Sequence, residues 1–248
     1  YMTTVAMGPA TPITYAMANF TDFYDVVKIA DVRQEEEDDE EYNVRQLKYM
    51  TDSQFNATYV AFDRAGLDYQ ITYKGLYVLN VLAKGAADGV LKPGDEIVEA
   101  DGQRIMSLET FRNIITPKTK GDQIRLVVKR NDKLIDETLA IKEIPGGDGR
   151  YGIGITYSES KSIKTDPKVT VKTEDIGGPS AGLMFTLELL NQLIDEDITK
   201  GYEIAGTGEM LEDGTVGRIG GIEKKIVSAD KEGIAIFFAP DDELTEAM

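Results

Sequence analysis

The segment that most constrains the fold is 177–193, where a Gly-Gly-Pro sequence leads straight into an almost unbroken apolar run. Proline suits the first turn of a helix, and glycine permits unusual backbone conformations just before it. Because the run is apolar nearly all round, it predicts a helix buried in a core, with Ser180 at its N-terminal end. The chain has 248 residues, of which 42% are hydrophobic, and this is enough to build such a core.

The composition excludes several kinds of catalytic site. The chain has no histidine and no cysteine, so it can form no Ser-His-Asp triad, thiol nucleophile, disulfide, histidine-ligated zinc site or iron–sulfur cluster. We expect no cofactor, and no metal because no cluster of metal ligands is readable in the sequence. The Asp195–Asp197 segment fails the calcium-loop pattern, since Lys200 replaces the required glycine. Catalysis is left to serine, threonine, tyrosine, lysine and carboxylates.

Net charge, hydropathy and motif content argue against three classes of partner, namely nucleic acid, membrane lipid and nucleotide. The net charge of −17 disfavours binding to nucleic acid or to anionic lipid, since both require clustered lysine and arginine. The sequence contains no apolar run of about 18 residues that predicts a membrane span. It also contains no G-x-x-x-x-G-K-[ST] loop, so we expect no nucleotide. The acidic run at 35–41 predicts a loop or a solvated helix flank, with a cation site there less favoured.

Changes in composition divide the chain into three segments. Residues 1–64 begin with a strand and continue with two helical patterns, a short amphipathic one at 20–27 and a longer one at 42–64. Residues 65–145 form a β-rich module that ends at a flexible Pro-Gly-Gly-Asp-Gly connector. Residues 146–248 carry the apolar helix, a hairpin, a second helix and a buried strand. Together these patterns predict an α+β fold.

The module at 65–145 resembles a bacterial PDZ domain in the order of its elements. A strand at 76–81 is followed by the sequence Leu-Lys-Pro-Gly-Asp-Glu-Ile at 91–97, which is the most diagnostic part. A helix at 108–115 follows, with Ser107 as its N-cap, and then a hairpin of two strands. The resemblance implies a small β-barrel or sandwich with helices.

A PDZ domain implies a groove between a strand and a helix, where an extended peptide adds as a strand and loop amides receive its C-terminal carboxylate. Lys74-Gly75-Leu76-Tyr77 is similar to the carboxylate-binding loop, although glycine at position 75 also fits a simple tight turn. The residues predicted to bind peptide are Gly75, Leu76, Tyr77, Val78, Leu79 and Phe111.

Two segments in the last third of the chain suggest a catalytic pair. Free N–H groups and the positive end of the helix dipole near Ser180 favour developing negative charge, although a serine there is more often only a cap. In a helix starting at Ile222, a rotation of about 100° per residue puts Lys225 beside the apolar face and Lys224 toward water. Burial would lower the pKa of Lys225 and leave an amine able to take a proton. Alternatively, the lysine keeps its ammonium in water.

Four ordered motifs resemble the proteolytic domain of Lon proteases, which are peptidases with a Ser–Lys dyad. The motifs are Gly178-Pro179-Ser180-Ala181-Gly182, Thr207-Gly208-Glu209, Gly214-x-Val216-x-x-Ile219-Gly220-Gly221-Ile222, and Lys225. The resemblance implies that Ser180 is the nucleophile, that Lys225 is the general base and that Thr207 hydrogen-bonds the lysine. Pro179 and Ala181 flank the nucleophile as supporting residues.

This sequence departs from the ATP-dependent Lon enzymes, because it lacks their ATPase motif and carries Gly177 where they usually have an acidic residue. A PDZ module before a Lon-type domain is instead similar to the membrane-anchored PDZ–Lon proteases of Gram-positive bacteria. That family implies a PDZ domain inserted into the protease domain, so that at least residues 1–30 pair with the C-terminal part. It also implies a place on the extracytoplasmic face of the cell membrane, with an N-terminal anchor and further C-terminal helices outside this chain.

These features favour an ATP-independent serine endopeptidase that cleaves peptides or unstructured protein segments. Its PDZ domain would recognise a C-terminal peptide of a substrate or partner. A second hypothesis is a PDZ peptide-binding or scaffold protein whose Lon-like domain is inert. A third is a Ser–Lys amidase or esterase, which shares the dyad chemistry but not the hairpin motif.

Overall fold

A computed structural model describes most of the chain, namely residues 1–18, 20–21, 24–34, 37–173 and 176–241. Contacts between residues divide the chain into two units. The first unit contains residues 1–36, 46–69 and 165–248, and the second contains 37–45 and 70–164. No helix in the described ranges combines the length and the apolar composition needed to cross a membrane.

The described ranges contain five α-helices, a short 3-10 helix at Ile29–Asp31 and twelve strands. The helices are α1 Pro12–Met17, α2 Asp39–Ala65, α3 Leu108–Ile115, α4 Gly182–Leu193 and α5 Ile222–Lys231. The strands are β1 Tyr69–Val81, β2 Glu96–Ala100, β3 Gln103–Arg104, β4 Gln123–Arg130, β5 Lys133–Ala140, β6 Lys142–Glu143, β7 Tyr151–Gly152, β8 Ile155–Thr165, β9 Ile204–Gly206, β10 Glu209–Met210, β11 Val216–Gly217 and β12 Ile236–Phe238. The mixture confirms the α+β class.

The second unit is built on a six-stranded sheet with the order β5-β4-β2-β1-β8, in which β3 pairs with β2. Strands β4 and β5 form the predicted hairpin, and its turn places Asn131 and Asp132 at positive φ. Helix α3 begins after Ser107, whose side chain accepts a hydrogen bond from the amide of Thr110. The inner face of the sheet packs into one core, which includes Leu76, Val78, Ile97, Phe111, Ile124, Leu126 and Ile153.

The sequence Leu-Lys-Pro-Gly-Asp is explained by a buried ion pair. Asp95 is 1% exposed, and its carboxylate accepts two hydrogen bonds from Arg130, at 2.7 and 2.6 Å. The amide of Lys92 also donates to Asp95. A buried carboxylate needs such partners, because removing one would leave an uncompensated charge in the core.

The boundary drawn after Pro145 differs from that of the structure, because residues 146–164 belong to the second unit. The glycine-rich connector is a turn between β6 and β7, closed by a hydrogen bond from the amide of Ile144 to the carbonyl of Arg150. Ile153 then enters the core of the sheet. Glycine and proline mark a change of direction in both linkers and tight turns, so composition could not separate the two.

The first unit brings the N-terminus next to a strand from the last third of the chain. The amine of Tyr1 donates to the carbonyl of Ile204 at 2.6 Å, and Met2 forms a parallel bridge with Gly206. Strand β9 pairs in parallel with β12. Strand β10 pairs with β11 in the hairpin that was predicted after α4, with Asp213 and Gly214 between the two strands. Strand β12 is not the buried strand that was predicted, since Phe238 is 41% exposed.

The amphipathic helix predicted at 20–27 is wrong in its described part, since residues 24–28 are not helical and residues 22–23 lie outside the described ranges. The helix of this region is α1. It begins where Thr11 and Thr14 form a reciprocal capping box and Pro12 occupies the first turn. Capping therefore decided the position of the helix, whereas the apolar spacing did not.

The acidic run at 35–41 leads into helix α2. Asp38 accepts a hydrogen bond from the amide of Glu41, whose side chain accepts one from the amide of Asp38. This capping arrangement uses negative charge at the positive end of the helix. Residues 37–38 lie in the predicted loop, but Glu37 is buried there, since it is 8% exposed and receives two hydrogen bonds from Arg45.

Within the described ranges helix α4 is only partly buried, in contrast to the predicted burial in a core. Gly182 and Thr186 are its fully buried residues, and the helix packs against β9 and β10. Its leucines are half-buried, namely Leu183, Leu187, Leu189, Leu190 and Leu193. An apolar sequence shows that burial is favourable, but it does not show which face the rest of the chain covers.

Candidate active site

Ser180 lies in a turn immediately before helix α4, and Ala181 is the N-cap residue. Gly178 adopts a φ of +87°, which a side chain would oppose. The turn approaches the neighbouring strand closely, because a Cβ added to Gly182 would lie 2.6 Å from the amide nitrogen of Met210. Both glycines of the motif are therefore required by local geometry.

Lys225 projects from α5 toward this turn. Its residue is 3% exposed, as the helical periodicity favoured. The Nζ atom lies 2.8 Å from Ser180 Oγ and 2.9 Å from Thr207 Oγ1. The structure thus brings together the three residues predicted from the motifs, although 45 residues separate Ser180 from Lys225 in the sequence.

Thr207 determines how the amine is oriented. It is fully buried, and its amide donates to the carbonyl of Phe238 at 2.9 Å. Its hydroxyl donates to the carbonyl of Ser180 at 3.1 Å, so the hydroxyl oxygen can only accept from the lysine. A neutral amine at Lys225 can then donate one N–H to Thr207 while its lone pair faces Ser180 Oγ.

Burial lowers the pKa of Lys225 from its ordinary 10.5 to about 8. The physical cause is desolvation, which penalises the ammonium more than the neutral amine. In the described ranges no carboxylate forms an ion pair with Lys225 that would restore the ordinary value. A substantial fraction of the neutral form is therefore present in mildly alkaline solution.

The turn also presents two backbone donors. Among the residues that the structure describes, none accepts a hydrogen bond from the amide N–H of Ser180 or of Ala181. The amides on either side are occupied, since Gly178 donates to Gln46 and Gly182 donates to Pro179. Two adjacent amides without acceptors beside a serine oxygen can hold the oxyanion of an acyl-transfer intermediate.

Nothing in the described part of the chain suggests a metal centre, since no three His, Cys, Asp or Glu side chains are grouped so as to hold an ion.

Gly177 stands where ATP-dependent Lon enzymes usually have an acidic residue. A Cβ at this position would lie 2.8 Å from Cβ of Gln46 in α2. Helix α2 therefore occupies the space that a side chain would need. No sequence pattern predicted a role for this helix at the site.

The strand predicted to bind peptide has no open edge. Strand β1, which contains Gly75 to Leu79, is paired with β2 on one side and with β8 on the other. Leu76 and Val78 are fully buried, and a Cβ on Gly75 would lie 2.3 Å from the carbonyl oxygen of Ile97. Gly75 thus permits close packing of two strands, and the prediction that Gly75, Leu76, Tyr77, Val78 and Leu79 line the groove is wrong.

Strand β8 lies at the end of the sheet and offers the edge that β1 lacks. Phe111 of α3 is the one predicted groove residue that stays near it, since its ring contacts Tyr157 of β8 edge-on, with 5.8 Å between centroids. In the loop before β8, the amides of Ile153 and Gly154 have no acceptor among the described residues. These amides and the edge of β8 form the candidate peptide groove.

The sequence carried a signal for this groove in Tyr151-Gly152-Ile153-Gly154, which precedes the 11-residue strand β8. It lies after the connector, outside the segment that resembled a PDZ domain. The pairing of β8 with β1 joins residues about eighty positions apart, and local sequence patterns do not report such long-range pairing.

Comparisons with known proteins agree with the two resemblances. Residues 50–141 match the family model of the PDZ domain, and residues 164–247 match that of the Lon protease (S16) C-terminal proteolytic domain. The Lon protease of Mycoplasmopsis agalactiae is 41% identical over 124 residues, covering 50% of this chain and 12% of that protein. The Lon protease of Ureaplasma parvum is 27% identical over 132 residues, covering 52% of this chain and 16% of that protein.

Among solved structures, the PDZ domain of the SdrC-like protein from Listeria innocua is 35% identical. The match covers 34% of this chain and 92% of that chain, with a TM-score of 0.32. The chain spans only 6% to 16% of the length of the curated Lon relatives. The similarity therefore concerns a small part of those proteins.

Proposed function

We propose that this chain is a serine endopeptidase with a Ser–Lys dyad. Residues 50–141 match the PDZ domain and residues 164–247 match the Lon protease (S16) C-terminal proteolytic domain, which supports a protease that carries a PDZ domain. The observation that carries the proposal is the position of Lys225 Nζ, buried at 2.8 Å from Ser180 Oγ. Its substrates are peptides or unstructured segments of proteins. The proposed cleavage is independent of ATP, because its steps use only the hydroxyl of Ser180 and the amine of Lys225.

In the first half of the reaction, the neutral amine of Lys225 accepts the hydroxyl proton of Ser180 as Oγ attacks the scissile carbonyl. The amides of Ser180 and Ala181 hold the oxyanion. When the tetrahedral intermediate collapses, Lys225 gives its proton to the leaving amine, and the acyl group stays on Ser180. Thr207 keeps the lysine directed at Ser180 throughout.

In the second half, a water molecule gives a proton to Lys225 and attacks the acyl carbon. Collapse of that intermediate releases the carboxyl product, and the proton returns from Lys225 to Ser180 Oγ. Both halves of the reaction require a neutral Lys225 amine at their start, so the same buried amine acts as general base in each half.

A fluorophosphonate probe tests whether Ser180 is activated. We expect the wild-type chain to be labelled at Ser180 only, because a hydroxyl whose proton can pass to an amine is far more nucleophilic than an ordinary serine hydroxyl. Mass spectrometry of the labelled peptides identifies the site, and Ser180→Ala is the control. Absence of labelling, in a chain that still binds peptide, would favour the binding-protein hypothesis with an inert Lon-like domain.

The PDZ domain supports a second part of the proposal, which is recognition of a C-terminal peptide at the edge of β8. The amides of Ile153 and Gly154 receive the terminal carboxylate, and the peptide backbone extends along β8 opposite α3. We expect peptides with a free carboxylate to bind at least about tenfold more tightly than the same peptides ending in an amide. Fluorescence polarisation with the Ser180→Ala chain measures this without cleavage.

The same titration followed by amide NMR locates the groove. The amides of Ile153 and Gly154 and those of β8 should shift, whereas the buried amides of Leu76 and Val78 should shift much less. Equal affinity for acid and amide peptides, or shifts confined to β1, would contradict the assignment.

A further inference from the structure

Helix α2 lies directly behind the turn that carries Ser180. The amide of Gly178 donates to the carbonyl of Gln46 at 2.9 Å, and the hydroxyl of Ser53 donates to the carbonyl of Pro179 at 3.1 Å. One turn further along α2, the side-chain amide of Asn56 donates to the carbonyl of Met210 at 2.9 Å. This helix therefore holds both the turn before α4 and the neighbouring strand β10.

The side chain of Ser53 is buried and closely surrounded where α2 meets the turn. It is 1% exposed, and a Cβ on Gly182 would lie 2.9 Å from its oxygen. The carbonyl that it holds also accepts a hydrogen bond from the amide of Gly182 at 3.1 Å. Pro179 O is thus held from two sides, which leaves the peptide group little freedom to rotate.

The carbonyl of Pro179 and the amide N–H of Ser180 belong to the same peptide group. In a trans peptide they point in opposite directions, and the group is planar. Holding the carbonyl against α2 therefore directs the N–H away from α2. A hydrogen bond to the carbonyl also polarises the peptide group and strengthens its N–H as a donor.

We infer that Ser53 is a positioning residue, which orients the Ser180 amide as a donor to the oxyanion by holding the carbonyl of Pro179. This inference rests on the proposed function, since it presupposes acyl transfer at Ser180. Ser53 lies outside residues 164–247, the part that matches the Lon proteolytic domain. Its contribution comes from a segment more than a hundred residues upstream.

The test compares Ser53→Ala with Thr58→Val in the full chain. Thr58 is also buried in α2, but its hydroxyl bonds only to the carbonyl of Gln54 in the same helix, so its loss should leave turnover near the wild-type value. Removing an oxyanion donor outright costs about 10²–10³-fold in kcat, and for a misdirected donor we expect a loss of about 10- to 100-fold. KM should change little, because the ground-state carbonyl bears less charge.

Two further measurements distinguish a misdirected Ser180 amide from general damage to the fold. Affinity for a peptide boronate, whose tetrahedral adduct on Ser180 resembles the intermediate, should fall by about the same factor as kcat. The midpoint of the pH–rate profile should stay in place, because Lys225 is untouched. If Ser53→Ala fails to fold, Ser53→Cys is the alternative variant, because its side chain fills nearly the same space but is a weaker hydrogen-bond donor. For this variant we expect a smaller decrease in both kcat and boronate affinity.

A kcat for the Ser53 variants within about twofold of the wild type, with boronate affinity unchanged, would overturn the inference while leaving the dyad intact. Cleavage retained by Ser180→Ala would instead overturn the proposed function itself. The two failures are therefore distinguishable in one set of assays.

Discussion

Replacing Lys225 with methionine is expected to lower the rate of peptide cleavage by about 10³-fold or more. Methionine has nearly the length of lysine and can fill the same space beside Ser180, but it cannot accept the hydroxyl proton. Turnover of a fluorogenic peptide measures the loss, with Ser180→Ala as the matched variant for the other member of the pair. Near-normal turnover of Lys225→Met would exclude this lysine as the base.

The same variant should be more stable than the wild type at pH 7, which shows that the loss of activity is not a loss of folding. Moving the pKa of Lys225 from 10.5 to about 8 corresponds to at most about 3 kcal/mol of unfavourable burial of the ammonium. Loss of the hydrogen bonds to Ser180 and Thr207 offsets part of that gain. Thermal unfolding of both proteins gives the difference.

The pH dependence of this stability difference has a definite sign. Between pH 8 and 10.5, the unfolded chain binds more protons at Lys225 than the folded chain does, so the wild type gains stability as the pH rises. Methionine does not titrate, so the extra stability of Lys225→Met over the wild type should decrease across that interval and be lost near pH 10.5. An advantage that stays constant with pH would show that the lysine is not desolvated.

The rate of cleavage is expected to rise about tenfold per pH unit below pH 8 and to level off above it. The neutral amine of Lys225 is the reactive form, and its fraction grows with pH through the lowered pKa of about 8. Measuring kcat/KM between pH 5.5 and pH 9.5 tests this, with circular dichroism at each pH to show that the fold persists. At pH 6 the rate should be about 100-fold below the plateau.

A control substrate separates the lysine from other titrating groups. If the peptide carries no ionisable side chain, the profile reflects the enzyme alone. A rate that is flat from pH 6 to pH 9 would contradict a lysine base, even if Ser180 were shown to be the nucleophile.

Sequence patterns alone predicted the candidate Ser–Lys pair and most of the helices and strands near it. The absence of histidine and cysteine left few possible bases, and helical periodicity selected Lys225 over Lys224. The start of α3 at Ser107 and the β4–β5 hairpin were also predictable, because caps and tight turns depend on neighbouring residues. Each of these inferences concerns positions only a few residues apart.

Which strand edges and helix faces are covered depends on contacts between distant parts of the chain. Strand β1 has an apolar pattern suited to a groove, but pairing with β8 closes its edge and moves the candidate groove to β8. Helix α4 is apolar nearly all round, yet in the described part of the chain only Gly182 and Thr186 of this helix are fully buried. The contact between Ser53 and Pro179 joins positions 126 residues apart. Long-range pairing and packing depend on the whole arrangement of the chain, and no local pattern of residues specifies it.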